Sequence, residues 1–62
     1  MKIKIGYKIK CLNNLKNNCI INEIYEIEDI IYYNGYTFFD IVSDNRDRDL
    51  IVAHELKDFE VI

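Results

Sequence analysis

Two thiols, one imidazole and a scatter of carboxylates are the side chains here that could do chemistry, and their spacing limits what that chemistry is. Cys11, Cys19 and His54 offer zinc three ligands without the paired Cys-x-x-Cys spacing of a structural site. Asn45, Asp47 and Asp49 stand at the one-three-five positions that open a calcium loop. Position six, however, is Leu50, where the sharp turn needs Gly, and position twelve is Leu56, where the loop needs a bidentate Glu. The sequence therefore predicts no metal and no cofactor. Cys11 or Cys19 with His54 and Asp58 has the residue types of a nucleophile, base and orienting acid, but any chain containing these types allows such a set. His54, between Ala53 and Glu55, reads as a solvated loop residue. A domain of 62 residues also leaves little room for a water-excluding pocket, so the expectation is a binding protein and not an enzyme.

The elements that must hold these residues are mostly strands. Ile3, Ile5, Tyr7, Ile9 and Cys11 alternate with Lys2, Lys4, Lys8 and Lys10, which is the two-residue period of a half-buried strand over about residues 3–11. A polar loop runs on through Asn18, with Leu12 and Leu15 placed to tuck part of it against the core. Residues 20–33 carry both periods: Ile20, Ile24, Ile27 and Ile31 have helical spacing, while Tyr25, Ile27, Ile31 and Tyr33 have strand spacing interrupted at Asp29. The density of Ile and Tyr favours strand, as does Asn34-Gly35, the preferred two-residue type I′ turn between antiparallel strands. Tyr36 to Val42 reads as the returning strand, Ser43 to Asp47 as a polar turn, and Leu50 to Ala53 as a short apolar strand. His54 to Lys57 is long enough for one 3₁₀ turn, and Phe59 to Ile62 closes the chain as a last strand. The whole is a single all-β domain, which at this size buries only about 60% of its unfolded surface and needs a dense core. Phe38 and Phe39 are adjacent, so at least one must lie outside that core.

Charge divides the chain. Residues 1–22 hold five lysines and no acid, whereas residues 23–62 hold eleven acids against Arg46, Arg48 and Lys57. The plainest expectation is a lysine-faced strand lying beside a neighbour that carries Glu26 and Glu28 as cross-strand pairs. No stretch reaches the roughly 18–20 apolar residues of a membrane span, and the start lacks the apolar run of a secretory signal. The expected setting is cytoplasmic, with no membrane partner. Cys11 and Cys19 are eight residues apart around an Asn-rich loop, a spacing that permits a bridge without establishing one. In a reducing compartment both are expected as thiols, with Cys11 on the buried face of its strand.

Five strands with a helical turn before the last describe a small five-stranded SH3-like barrel, and several segments resemble one family of them. Gly6-Tyr7-Lys8-Ile9-Lys10-Cys11, Ile24-Tyr25-Glu26-Ile27, Phe39-Asp40-Ile41-Val42-Ser43-Asp44 and Phe59-Glu60-Val61 are similar to the opening strand, second strand, distal turn and last strand of small SH3-like proteins encoded by phages and prophages of low-GC bacteria. The chain departs from that pattern at Asn22-Glu23 and at Arg46, where such proteins often have Gly. The resemblance implies a barrel of mobile-element origin and no particular target.

The strongest functional hint is aromatic. Tyr32, Tyr33, Tyr36, Phe38 and Phe39 crowd one hairpin, more rings than a small barrel buries at once, and Tyr is enriched at interfaces. With the acidic loop they predict a surface of Tyr32, Tyr33, Tyr36, Asp44, Asp47 and Asp49 for a host or bacterial protein with a basic surface, with inhibition of a defence protein as one expected role. The alternative is nucleic acid held by Lys2, Lys4, Lys8, Lys10 and Lys16, against which stand the sequence pI of about 4.9 and the lack of Arg among them. A homodimer through the hairpin is a third expectation.

Overall fold

The computed structural model describes residues 3–15 and 17–62. Strands β1 (Lys8–Cys11), β2 (Ile24–Tyr33), β3 (Tyr36–Ser43), β4 (Arg48–Val52) and β5 (Phe59–Val61) form one antiparallel sheet in the order β4-β3-β2-β1-β5, with the 3₁₀ turn η1 (Ala53–Asp58) just before β5. Residues 24–33 are strand throughout, as their Ile and Tyr content favours. The Asn34-Gly35 turn is a two-residue hairpin with Tyr33 paired to Tyr36, and both its residues have positive φ, 51° and 79°, as a type I′ turn requires.

The first strand begins later than its alternation predicts. Tyr7 donates to the Lys4 carbonyl at 3.1 Å, and Gly6, at φ 95°, donates to the Ile27 carbonyl at 2.8 Å. A turn at residues 4–7 therefore replaces the first half of the expected strand. Ile5 and Tyr7 end up exposed while Ile9 and Cys11 are sealed in the core. Leu12 and Leu15 do not tuck inward either: Leu15 is 87% exposed. Cys19 fills that place instead, because the asparagines supply partners for the loop backbone. Asn17 Oδ1 accepts from the Cys19 amide, Asn13 Oδ1 accepts from the Leu15 amide, and Asn14 Nδ2 donates to the Cys19 carbonyl.

A β-bulge between Ile27 and Asp29 changes the parity of β2. Before it, Tyr25 and Ile27 face the core. After it, Ile30 packs against the core, and Ile31 and Tyr33, expected on the same side as Tyr25, turn outward. The core is a cluster of Ile9, Cys11, Cys19, Tyr25, Ile27, Phe39, Ile41, Ile51 and Phe59. Full burial of each large side chain contributes about 1.5–3 kcal/mol relative to exposure.

The sheet is not closed into a barrel: β4 and β5 are its two edges, and among the described residues they do not pair with each other. Side chains occupy the gap. η1 packs against β3, β4 and β5. The Leu50 amide donates to Asp49 Oδ1 at 2.8 Å, and the Val52 amide donates to the buried Glu55 Oε1 at 2.9 Å. Alternate donors on the β4 edge are thus already satisfied, which discourages another strand from adding there. Asn22 and Arg46 both adopt positive φ, 72° and 68°. The 44–47 turn tolerates Arg46 because it is heavily bonded: the Ser43 amide donates to the Asp47 carbonyl, and Ser43 Oγ accepts from the Asn45 and Asp47 amides.

Candidate partner-binding face

Strand register settles which rings share a face. Directly paired residues of an antiparallel ladder point the same way and alternate along each strand. Phe39, paired with Ile30 and Ile51, faces the core. The neighbouring pairs Tyr33–Tyr36, Ile31–Phe38 and Phe38–Val52 face outward, as does Leu50 opposite Asp40. Ile31, Tyr33, Tyr36, Phe38, Leu50 and Val52 therefore form one apolar platform in staggered rows: Tyr33 and Tyr36, then Ile31, Phe38 and Val52 across three strands, then Leu50 beside Asp40. Tyr33 is 66% exposed, Tyr36 60% and Leu50 54%. The Tyr36 and Phe38 rings touch within this platform, with centroids 6.3 Å apart and planes tilted by 51°.

Carboxylates continue the same face along the strands. Asp29 pairs with Asp40, and Arg48 reaches across to Glu28 at 2.7 Å and to Asp40 at 3.7 Å. All three members of this cluster are about half exposed or less, so the pairs contribute no more than about 1 kcal/mol. Beyond them a cavity of about 280 Å³ is lined by Glu26, Glu28, Val42, Ser43, Asp44 and Arg46. Polarity thus changes along β3, from aromatic at Tyr36 to acidic beyond Phe38.

The residues predicted as one binding surface are only partly brought together. Tyr33 and Tyr36 stand side by side on the platform. Tyr32, paired with Thr37, is exposed on the opposite face. Asp44 and Asp47 lie in the turn at the far end of β3; the seven steps from Tyr36 to Ser43, at about 3.3 Å each, put that turn roughly 23 Å from the hairpin end. Asp49 is half-buried and works inside the molecule: its Oδ2 accepts from the Asn18 amide at 3.1 Å and from the Cys19 thiol at 3.4 Å. Sequence reading missed Ile31, Leu50, Val52 and Asp29, and it left Phe38, though part of the aromatic group, and Asp40 out of the expected contacts. The available signal was that Tyr36-Phe38 and Leu50-Val52 alternate out of phase with Phe39-Ile41 and Ile51, making the strands apolar on both faces.

The lysines are dispersed. Lys8 lies opposite Glu26, and Lys10 is flanked by Ile24 on one side and Glu60 on the other. Glu28, expected beside the lysine strand, bonds to Arg48 instead. Lys4 is exposed at the 4–7 turn, and Lys2 and Lys16 lie outside the described residues.

The thiols are poor nucleophiles. Both are free and buried. Burial and then the adjacent Asp49 push Cys19 up to about 12, and burial raises Cys11, whose Sγ donates to the Asn13 carbonyl. Thiolate is the reactive form, so both are quiet near neutrality. His54 is exposed on η1. Burial also pushes the Tyr25 hydroxyl up to about 12, where its oxygen accepts from the Ile20 amide at 2.9 Å and pins the loop end. Among the described residues no three His, Cys, Asp or Glu side chains are grouped to hold a metal ion, and no helix is long and apolar enough to cross a membrane. Comparisons with protein-family models, curated proteins and solved structures find no match.

Proposed function

We propose that this chain is a protein-binding module of the small SH3-like type with an open sheet, engaging a partner with a basic surface through the outer face of β2, β3 and β4. The strand order, the two-residue hairpin and the 3₁₀ turn before β5 support the SH3-like reading. The observation that carries the binding reading is the apolar platform of Ile31, Tyr33, Tyr36, Phe38, Leu50 and Val52, continued on the same side of the sheet by Asp29 and Asp40, with Glu28 bonded to Arg48 next to them. Exposed aromatic side chains provide contact area at low entropic cost, and the acids steer a cationic partner and fix its orientation. With the resemblance to phage-encoded proteins, the reading extends to an inhibitor that covers the cationic surface of a host or bacterial defence protein and excludes its usual anionic ligand.

Nucleic acid binding through Lys4, Lys8 and Lys10 has less behind it, because Glu26 and Glu60 stand directly across from two of those lysines. The test is capture from a bacterial lysate with three immobilised forms: wild type, Tyr36→Ser with Leu50→Ser, and Asp44→Lys with Asp47→Lys. The expected result is a salt-sensitive partner held by the wild type, lost by the first double variant, and weakened only modestly by the second. Equal recovery of every protein by the first variant and the wild type would refute the proposal.

A further inference from the structure

The geometry points to an amphipathic basic helix, lying along β3, as the element that occupies the outer face. This rests on the partner-binding reading above and specifies its ligand. Three observations select a helix over an extended segment or a second copy of the chain.

The first is the state of the β4 edge. A peptide that binds as an extra strand needs free backbone donors, but Leu50 and Val52 already donate to Asp49 and Glu55. Recognition there is left to side chains on the face. The second is the size of the platform. Three strands about 4.8 Å apart are roughly 10 Å across, which matches the 10–12 Å diameter of one helix with its side chains. An apolar sheet face of that width is the surface on which a helix normally packs.

The third is the charge sequence along β3. From Tyr36 to Phe38 is about 7 Å and from Tyr36 to Asp40 about 13 Å. At 1.5 Å per residue a helix covers those distances in about four to five and about nine residues. The matching ligand carries apolar residues at i and i+4, over Tyr36 and Phe38, and Lys or Arg near i+8, beside the Asp29–Asp40 pair; Glu28 is already bonded to Arg48 at 2.7 Å, and Asp40 keeps only a longer contact of 3.7 Å with that guanidinium. A second copy of this chain using the same face about a two-fold axis parallel to β3 would set the Asp29–Asp40 carboxylates against their own copies.

The test uses the full 62-residue chain and two synthetic 18-residue peptides of identical Leu and Lys composition, one patterned with helical period and one alternating with period two. Affinity is read by fluorescence anisotropy and peptide conformation by circular dichroism. The inference expects the helical isomer to bind at least tenfold more tightly than the alternating isomer and to gain helicity on binding. It further expects at least tenfold weaker binding to Tyr36→Ser with Leu50→Ser, weaker binding to Asp40→Lys, and little change for the far-end Asp47→Lys variant. Tighter binding of the alternating isomer with the same sensitivity to Tyr36 and Leu50 would overturn the helix assignment and leave the face assignment standing. Binding of neither isomer would overturn the helix assignment, with the lysate capture deciding the face independently. A concentration-dependent dimer in sedimentation that the Tyr36 and Leu50 changes abolish would replace the helix by a second copy.

Discussion

The two faces of the β2–β3–β4 sheet are built from similar residues and put to different use. Inward, Phe39, Ile41 and Ile51 are almost fully buried; outward, Phe38, Tyr36 and Leu50 are equally large and remain in partial or full contact with water. The inner set belongs to one core cluster with residues of β1, β5 and the Cys19 loop, whereas in the outer set Phe38 is half-buried and Tyr36 and Leu50 are exposed. A sheet apolar on both sides is expected where both are covered. The uncovered side is therefore the one proposed to take a partner.

The sharpest way to break this comparison is to shorten one residue on each face. Ile41→Ala is expected to cost about 2–5 kcal/mol by removing a fully buried side chain and leaving a cavity, while Leu50→Ala is expected to stay within about 0.5 kcal/mol. Urea unfolding of both variants checks the pair. A Leu50→Ala cost approaching that of Ile41→Ala would mean that the outer platform belongs to the fold itself.

The next effect concerns the loop that closes the inner side. Cys19 and Tyr25 both have their protonation raised in the folded state, from ordinary values of 9.0 and 10.0 to about 12. Between the ordinary and the raised values the folded chain holds protons that the unfolded chain has lost. Stability is therefore full below about pH 9 and falls as the pH rises toward 12. Urea midpoints measured from pH 7 to 11 should stay level and then decline, and Cys19→Ala should flatten part of the decline. A midpoint that rises above pH 9 would contradict the buried placement of these groups.

A smaller effect sharpens the distinction between scaffold and face. Arg46 holds φ 68°, a conformation that disfavours a side chain with a Cβ by about 1–2 kcal/mol. Gly loses more entropy on folding, so Arg46→Gly is expected to stabilise by a net of about 0.5–1 kcal/mol, read as a raised melting temperature. Partner capture should be unchanged, because the 44–47 turn is remote from the platform.

Much of the fold is legible in the residues themselves. Asn34-Gly35 marks the hairpin, the Ser43–Asp47 polar run marks the next turn, and Phe59-Glu60-Val61 marks the closing strand, because local chemistry dictates each of them. Gly6 and Glu28 are less transparent. Alternation through residues 3–11 conceals a turn that depends on one glycine at positive φ and on a bond to Ile27 in another strand. A bulge likewise leaves no local mark beyond the interruption at Asp29. The site is legible to the same degree. Tyr33 and Tyr36 follow from the hairpin, whereas grouping them with Asp44, Asp47 and Asp49 treated nearness in sequence as nearness in space. An eight-residue strand holds those ends apart, and Asp49 is drawn inward by Asn18 and Cys19.

The most direct test of the central claim is a comparison of ¹H–¹⁵N spectra of the full chain, free and bound to its captured partner. The account predicts that the largest shifts fall on the amides of Asp29, Ile31, Tyr33, Tyr36, Phe38, Asp40 and Leu50. Shifts confined to β1 and the Asp44–Asp47 turn, with those amides unmoved, would contradict it.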